Sequence, residues 1–172
     1  MYDDEFNTSG YPLAYLFTFR CYGTWLPGDS RGTVTKYHNA FGSPYFPPDR
    51  EWRNRSKEAM KGDPVALTGP MRAAVKAAIL ETCAIRHWEL FALNVRTNHV
   101  HCVISVGEEL PSRVLSALKA NATRLLRERQ LVPRSQTVWV ARGSKRYLWN
   151  ENALWKAIDY VMEGQGGDLP EF

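Results

Sequence analysis

The chain has 172 residues, 44% of them apolar, which suits one compact domain spanning 1–172 and leaves little room for a second. Lys and Arg number 22 against 18 Asp and Glu, a net charge of +4 that only weakly favours a polyanionic partner, so the placement of charge matters more than its sum. Three cysteines, Cys21, Cys83 and Cys102, form an odd set inside apolar runs, which argues against a disulfide framework or a cysteine-rich zinc site and reads as buried thiols. With no apolar signal core near Met1 and no run approaching the ~20 residues that span a bilayer, the expectation is a soluble cytoplasmic protein without membrane contact.

The first ten residues are polar and predicted to fray, and the first ordered element is a strand over 15–22, YLFTFRCY. Residues 24–68 form a long insertion in which Pro27, Gly28, Pro44, Pro47, Pro48, Gly62 and Pro64 interrupt every periodic pattern. An amphipathic helix follows over 71–87, with Met71, Val75, Ile79 and Cys83 near helical period and Pro70 suited to its start. Two strand-like runs, ELFALNVR at 89–96 and HVHCVISV at 99–106, flank the short link Thr97–Asn98 and predict an antiparallel hairpin. A second helix runs from Pro111 to about Gln130 with Val114, Leu118, Ala122 and Leu125 on one face, and strand character returns over 138–149. Asn150 is a suitable N-cap for a last helix over 151–163, which Gly164, Gly166 and Gly167 end. The order βαββαβ plus a helix is that of an α+β, ferredoxin-like (split βαβ) antiparallel sheet, with two helices on one face and the other free for a site.

On the 99–106 strand, His99 and His101 are two residues apart, so they share a face with Cα atoms about 6.6 to 6.8 Å apart, and their imidazoles can converge on one ion. Val100, Cys102, Ile104 and Val106 alternate with them and should pack under the helices. On spacing alone such a pair is more often two half-exposed side chains with no shared task. Tyr160 on the C-terminal helix, with carboxylate or amide groups just beyond it, changes that weighing. A free tyrosine, with a pKa near about 10, is a poor nucleophile, and a divalent ion polarising a phosphodiester lowers the demand on it. His38 and His87 have no partner spacing and read as structural, His87 lying near a helix C-terminus where a cation is favoured.

The runs NVRTNHVHCVISV, RYLWN and IDYVMEGQGGDLP, with the opening FTFRCYGTWLPGD, resemble the HUH single-tyrosine transposases, in particular the REP-associated tyrosine transposases, from Phe17 to Pro170. The resemblance implies a ferredoxin-like catalytic fold whose 151–165 helix carries the tyrosine, Mg²⁺ or Mn²⁺ as cofactor, and cleavage of single-stranded DNA near a hairpin through a 5′-phosphotyrosine intermediate. It places metal ligands at His99 and His101 and the nucleophile at Tyr160. It also implies nucleoid association and a homodimer, in which the tyrosine helix of one subunit can serve the site of the other.

The third ligand stays open between Glu163 and Gln165. Family members often carry Gln or Asn four positions after the tyrosine, where this chain has Gly164. On a continuing helix Glu163 lies about 60° from Tyr160 and Gln165 about 140° away, which favours Glu163. If Gly164 breaks the helix, Gln165 can swing back, and the family's preference for an amide then favours it. Two imidazoles alone would suit Mn²⁺ or Zn²⁺ better than Mg²⁺.

For DNA contact, the 111–130 helix offers Arg113, Lys119, Arg124, Arg127 and Arg129, with Lys119 the candidate nearest the scissile phosphate. Lys145 and Arg146 add a basic turn beside Tyr147. The insertion supplies Tyr22, Trp25, Arg31, Lys36, Tyr37, Arg50, Trp52, Arg53 and Arg55, able to stack bases and neutralise phosphates or to pack as a loop over the sheet. The competing function is a non-catalytic nucleic-acid-binding module, which does not need the set His99, His101 and Tyr160.

Overall fold

The computed structural model describes residues 7, 9–32, 46–166 and 169. In chain order these contain β1 (Ala14–Arg20), α1 (Arg50–Glu58), α2 (Gly69–Arg86), β2 (Glu89–Val95), β3 (His99–Ser105), α3 (Pro111–Glu128), β4 (Ser144–Leu148) and α4 (Glu151–Glu163). The strands form one sheet in the order β2-β3-β1-β4, with each neighbouring pair antiparallel. This is the α+β, ferredoxin-like arrangement that the pattern predicts, with β3 and β1 at the centre.

The two faces of the sheet carry different cores. Tyr15, Phe17 and Phe19 of β1 and Val100, Cys102 and Ile104 of β3 point to one side. There they pack with Val75, Ala78 and Ile79 of α2 and Val114, Leu118 and Ala122 of α3. All three cysteines are buried and unpaired. Residues in the alternate phase, Ala14, Leu16 and Val103, meet Leu154, Ala157 and Val161 of α4 on the other side. The second face is thus only partly free: α4 folds back over part of it. The reason is its own apolar stripe, which has to be buried somewhere. α4 starts where predicted, with the Asn150 side chain accepting from the Ala153 N–H at 2.8 Å. It is tied to β2 by the Asn94 amide, which donates to the Val161 carbonyl at 3.0 Å.

The insertion is not structureless, since α1 lies within it. Asp49 caps α1 by accepting from the Trp52 N–H at 2.9 Å, and Glu51 pairs with Arg55 one turn on at 3.1 Å. No residue of α1 is buried, so this helix lacks the apolar period by which a helix is recognised in a sequence. Lys36, Tyr37 and His38 lie outside the described residues. Among the described residues, no helix is long and apolar enough to cross a membrane.

Candidate active site

The register of the central strands builds the first half of the site. His101 stands opposite Thr18 and His99 opposite Arg20 across the β1–β3 pair, while Asn94 of β2 flanks His101 on the other side. The two imidazoles lie with ring centroids 4.6 Å apart. His101 Nδ1 and the Thr18 hydroxyl are 2.7 Å apart, and His99 Nδ1 is 2.6 Å from Asn98 Oδ1. His101 is only 7% exposed. Burial pushes its pKa down to about 4, helped by the neighbouring His99 and the charge of Arg20. His99 is pushed down too, first by burial and then by Arg20, Arg96 and Arg31, while the Gln165 side-chain oxygen, which accepts from the protonated ring, opposes the shift. Both rings are thus neutral at pH 7, the form that binds metals.

The second half comes from α4, some sixty residues further along the chain. Docking of Leu154, Ala157 and Val161 on the sheet brings the Tyr160 ring to 5.4 Å from the His101 ring, edge to face, with the tyrosine still 47% exposed. At Gly164 the helix ends, its N–H donating to the Tyr160 carbonyl at 3.0 Å. A Cβ there would lie 2.7 Å from that carbonyl oxygen, so the tight turn suits glycine. Just past this end Gln165 Oε1 sits 3.2 Å from His99 Nε2, while the Gln165 amide donates to the Tyr160 carbonyl at 3.4 Å. Glu163 is exposed on α4.

His99 offers a direct test of whether a cation fits. A neutral imidazole has one N–H, yet His99 faces two acceptor oxygens, Asn98 Oδ1 and Gln165 Oε1. With its proton donated to Asn98, Nε2 and Oε1 present lone pairs to each other, an arrangement that a cation between them satisfies. Their 3.2 Å separation is close to the edge of about 3 Å between adjacent ligands in an octahedron with bonds near 2.1 Å. Among the described residues there is no group of three His, Cys, Asp or Glu that could hold a metal.

The basic candidates divide between the two faces. Arg146 is paired with Leu16 and so lies on the histidine face, whereas Lys145 is paired with Phe17 and lies on the face of α2 and α3. Lys119 and Arg124 are also on that far side, because α3 packs there. Lys119 is not brought to the histidines: its ammonium donates to the carbonyls of Val140 and Arg142 at 2.8 and 2.9 Å, pinning the segment before β4. Arg124 is held by Glu81 and Glu128. Thr18, Arg20, Asn94, Asn98 and Arg96 were not singled out from the sequence. For Thr18 and Arg20 the signal was available, since they are the two polar residues of YLFTFRCY and stand two apart, hence on one face.

Three comparisons bear on this geometry. No curated protein matches the chain. Among solved structures, a REP-associated tyrosine transposase bound to a REP hairpin aligns over 94% of this chain and 69% of its own at 13% identity and a TM-score of 0.47. A candidate transposase from Deinococcus radiodurans R1 aligns over 92% of this chain and 94% of its own at 15% identity and a TM-score of 0.49. The family model described as transposase IS200 like matches residues 61–157, a span that contains β2, β3 and α3 and both histidines and stops short of Tyr160. Since that match takes in more than half of the chain, the chain belongs to the IS200-like transposase family.

Proposed function

We propose that the chain is a single catalytic domain acting as a metal-dependent endonuclease and strand transferase on single-stranded DNA, cutting near hairpins through a 5′-phosphotyrosine intermediate. The observation that carries this reading is that α4 brings the Tyr160 ring and the Gln165 amide to the same pair of histidines. In the cutting step the Tyr160 Oη–phosphorus bond forms as the phosphorus–O3′ bond breaks. The phenolic proton passes to solvent and the released 3′ oxygen takes one up, and strand transfer is the reverse with a new 3′ end. His99, His101 and Gln165 would hold Mg²⁺ or Mn²⁺, which when bound supplies Lewis-acid charge at the phosphate. Glu163 remains the alternative third ligand, though Gln165 is the side chain that reaches His99.

Arg146 shares the histidine face and would contact phosphate near the cut. Lys119, Arg124 and Lys145 would meet a more distant part of the strand on the far side, where Lys119, Arg124, Arg127 and Arg134, together with Glu128, line an open groove with an excess of positive charge. Working as a homodimer and association with the nucleoid belong to the same reading. The test is incubation with end-labelled single-stranded hairpin DNA and Mn²⁺. A covalent adduct should appear on a denaturing gel with the native chain and be absent with Tyr160→Phe, which keeps the ring and its packing and should still bind metal and DNA. An adduct that survives Tyr160→Phe removes Tyr160 as the nucleophile.

A further inference from the structure

β1 is buried and apolar from Ala14 to Phe19 except at Thr18. Valine at that position would have nearly the same shape and the same preference for a strand, so what distinguishes Thr18 is its hydroxyl. That oxygen lies 2.7 Å from Nδ1 of His101, the residue directly opposite across the β1–β3 pair. His99 has a partner of another kind: its Nδ1 is 2.6 Å from the side-chain oxygen of Asn98, in the link before β3. Each ring therefore spends Nδ1 on a neighbour in its own chain and leaves Nε2 for the space that the Gln165 side chain enters. Nε2 of His99 is 3.2 Å from Gln165 Oε1, and hydrogen bonding to Gln165 also favours the protonated form of His101.

The two partners differ in what they can do. A carboxamide oxygen only accepts, so Asn98 keeps the single proton of neutral His99 on Nδ1 and leaves Nε2 with its lone pair. A hydroxyl both donates and accepts, so the Thr18 bond suits either tautomer of His101. With the proton on Nε2, that N–H turns to the Gln165 oxygen while Thr18 donates to Nδ1. Oε1, which meets a lone pair on His99, then has a donor, and the empty site is closed by hydrogen bonds. With the proton on Nδ1, Thr18 accepts it and Nε2 of His101 is bare. Resting on the metal-dependent reading of the site, we propose that Asn98 and Thr18 are the positioning residues of the histidine pair: Asn98 presets the ligating tautomer of His99, and the Thr18 hydroxyl turns from donor to acceptor when His101 gives its Nε2 to a divalent cation. The exchange balances, since the proton leaves Nε2 for solvent, another arrives at Nδ1, the hydroxyl rotates, and the ring stays neutral throughout. A partner of fixed polarity opposite His101 would serve only one of the two states.

The test reads tautomers directly, by nitrogen NMR of the imidazoles in the full native chain at pH 7.5, first without metal and then with saturating Mg²⁺, which is diamagnetic. His99 should carry its proton on Nδ1 in both states, and His101 should move its proton from Nε2 to Nδ1 when Mg²⁺ is added. In calorimetry without DNA, Thr18→Val should bind Mn²⁺ about 10- to 100-fold more weakly, as should Asn98→Ala, the range usual for losing a partner behind a ligand. Thr18→Ser, which restores the hydroxyl but not the methyl group, should return to within a few-fold of the native affinity. That rescue is what a merely structural role does not give, since packing in the strand would favour valine over serine. Mn²⁺ affinity of Thr18→Val within about twofold of native overturns the proposal, as does a folded Thr18→Ser that binds no better than Thr18→Val. Should Thr18→Val fail to fold, the native spectra still decide: a His101 proton on the same nitrogen with and without Mg²⁺ removes the turn of Thr18, while the metal-dependent reading stands. If the native chain binds neither Mn²⁺ nor Mg²⁺, it is the metal-dependent reading that fails, and the proposal with it.

Discussion

Acid should unfold the metal-free protein more readily than its ordinary carboxylates dictate, with His101 a principal cause. This residue is 7% exposed, and burial with the charges of His99 and Arg20 brings its pKa down to about 4. In the unfolded chain the same imidazole takes up its proton near the usual value of about 6.5. Between those values the unfolded state binds more protons than the folded one. Stability is therefore intact above about pH 6.5, declines as pH falls below it, and stops declining on this account below about pH 4. From neutral pH down to about pH 4 the loss amounts to about 3 kcal/mol, a large share of the roughly 5–15 kcal/mol that holds a domain folded. Urea unfolding in the presence of a chelator, followed from about pH 7.5 to 4 for the native chain and His101→Gln, separates this contribution from the carboxylates common to both. The variant should show a shallower fall, the remainder including the like-signed contribution of His99. Equal slopes in the two proteins would refute the reasoning.

Other perturbations probe how the two halves of the site are held. Gly164→Ala puts a methyl group against the Tyr160 carbonyl and should swing Gln165 away from His99, lowering Mn²⁺ affinity by about tenfold with the fold retained; unchanged affinity in calorimetry would remove Gln165 as a ligand. Leu154→Ala, at a site 8% exposed between α4 and the sheet, should cost about 2–3 kcal/mol in urea unfolding, and a loss below about 0.5 kcal/mol would mean that α4 is only loosely docked. Lys119→Met keeps the aliphatic stem but leaves the Val140 and Arg142 carbonyls without their donor, a cost of about 1 kcal/mol, and should leave adduct chemistry intact because α3 lies on the far side of the sheet. A lower DNA affinity with a flatter salt dependence in that variant would show that Lys119 also reaches phosphate.

Much of this molecule is legible in the sequence because its elements obey one dominant period each. The alternation in HVHCVISV sends Val100, Cys102 and Ile104 into the core and the histidines to the opposite face, and the structure follows it residue by residue. The Asn150 cap of α4 is equally plain. What escapes is what depends on pairing between distant segments. Nothing local says that β1 lies beside β3 in the register that sets Thr18 against His101 and Arg20 against His99. α1 escapes for a different reason, being stabilised by a cap and an ion pair on a helix with no buried face. What Lys119 meets is not legible either, because a basic residue on a helix flank looks the same whether it meets a phosphate, two carbonyls of its own chain or both.

The two halves of the site are built on supports of unequal strength, and this bears on how each should respond to change. His99 and His101 belong to a strand paired on both sides at the centre of the sheet, backed by the core under α2 and α3, so their separation is fixed by backbone pairing with two neighbouring strands. Tyr160 and Gln165 ride on the end of a helix whose hold on the sheet is a small cluster, with Leu154, Ala157 and Val161 as its buried contributions and the Asn94–Val161 bond as its polar tie. Mutations that weaken the α4 cluster should therefore disturb the tyrosine and the amide well before they disturb the histidine pair. A metal held by all three side chains links the halves, since binding to the docked state alone stabilises that state in proportion to the logarithm of its concentration over the dissociation constant. Loss of the Gln165 contact should thus weaken the placement of Tyr160 as well as the ion's hold, and hydrogen exchange in α4 should slow on addition of Mn²⁺ while exchange in β3, already near the global limit, should change little.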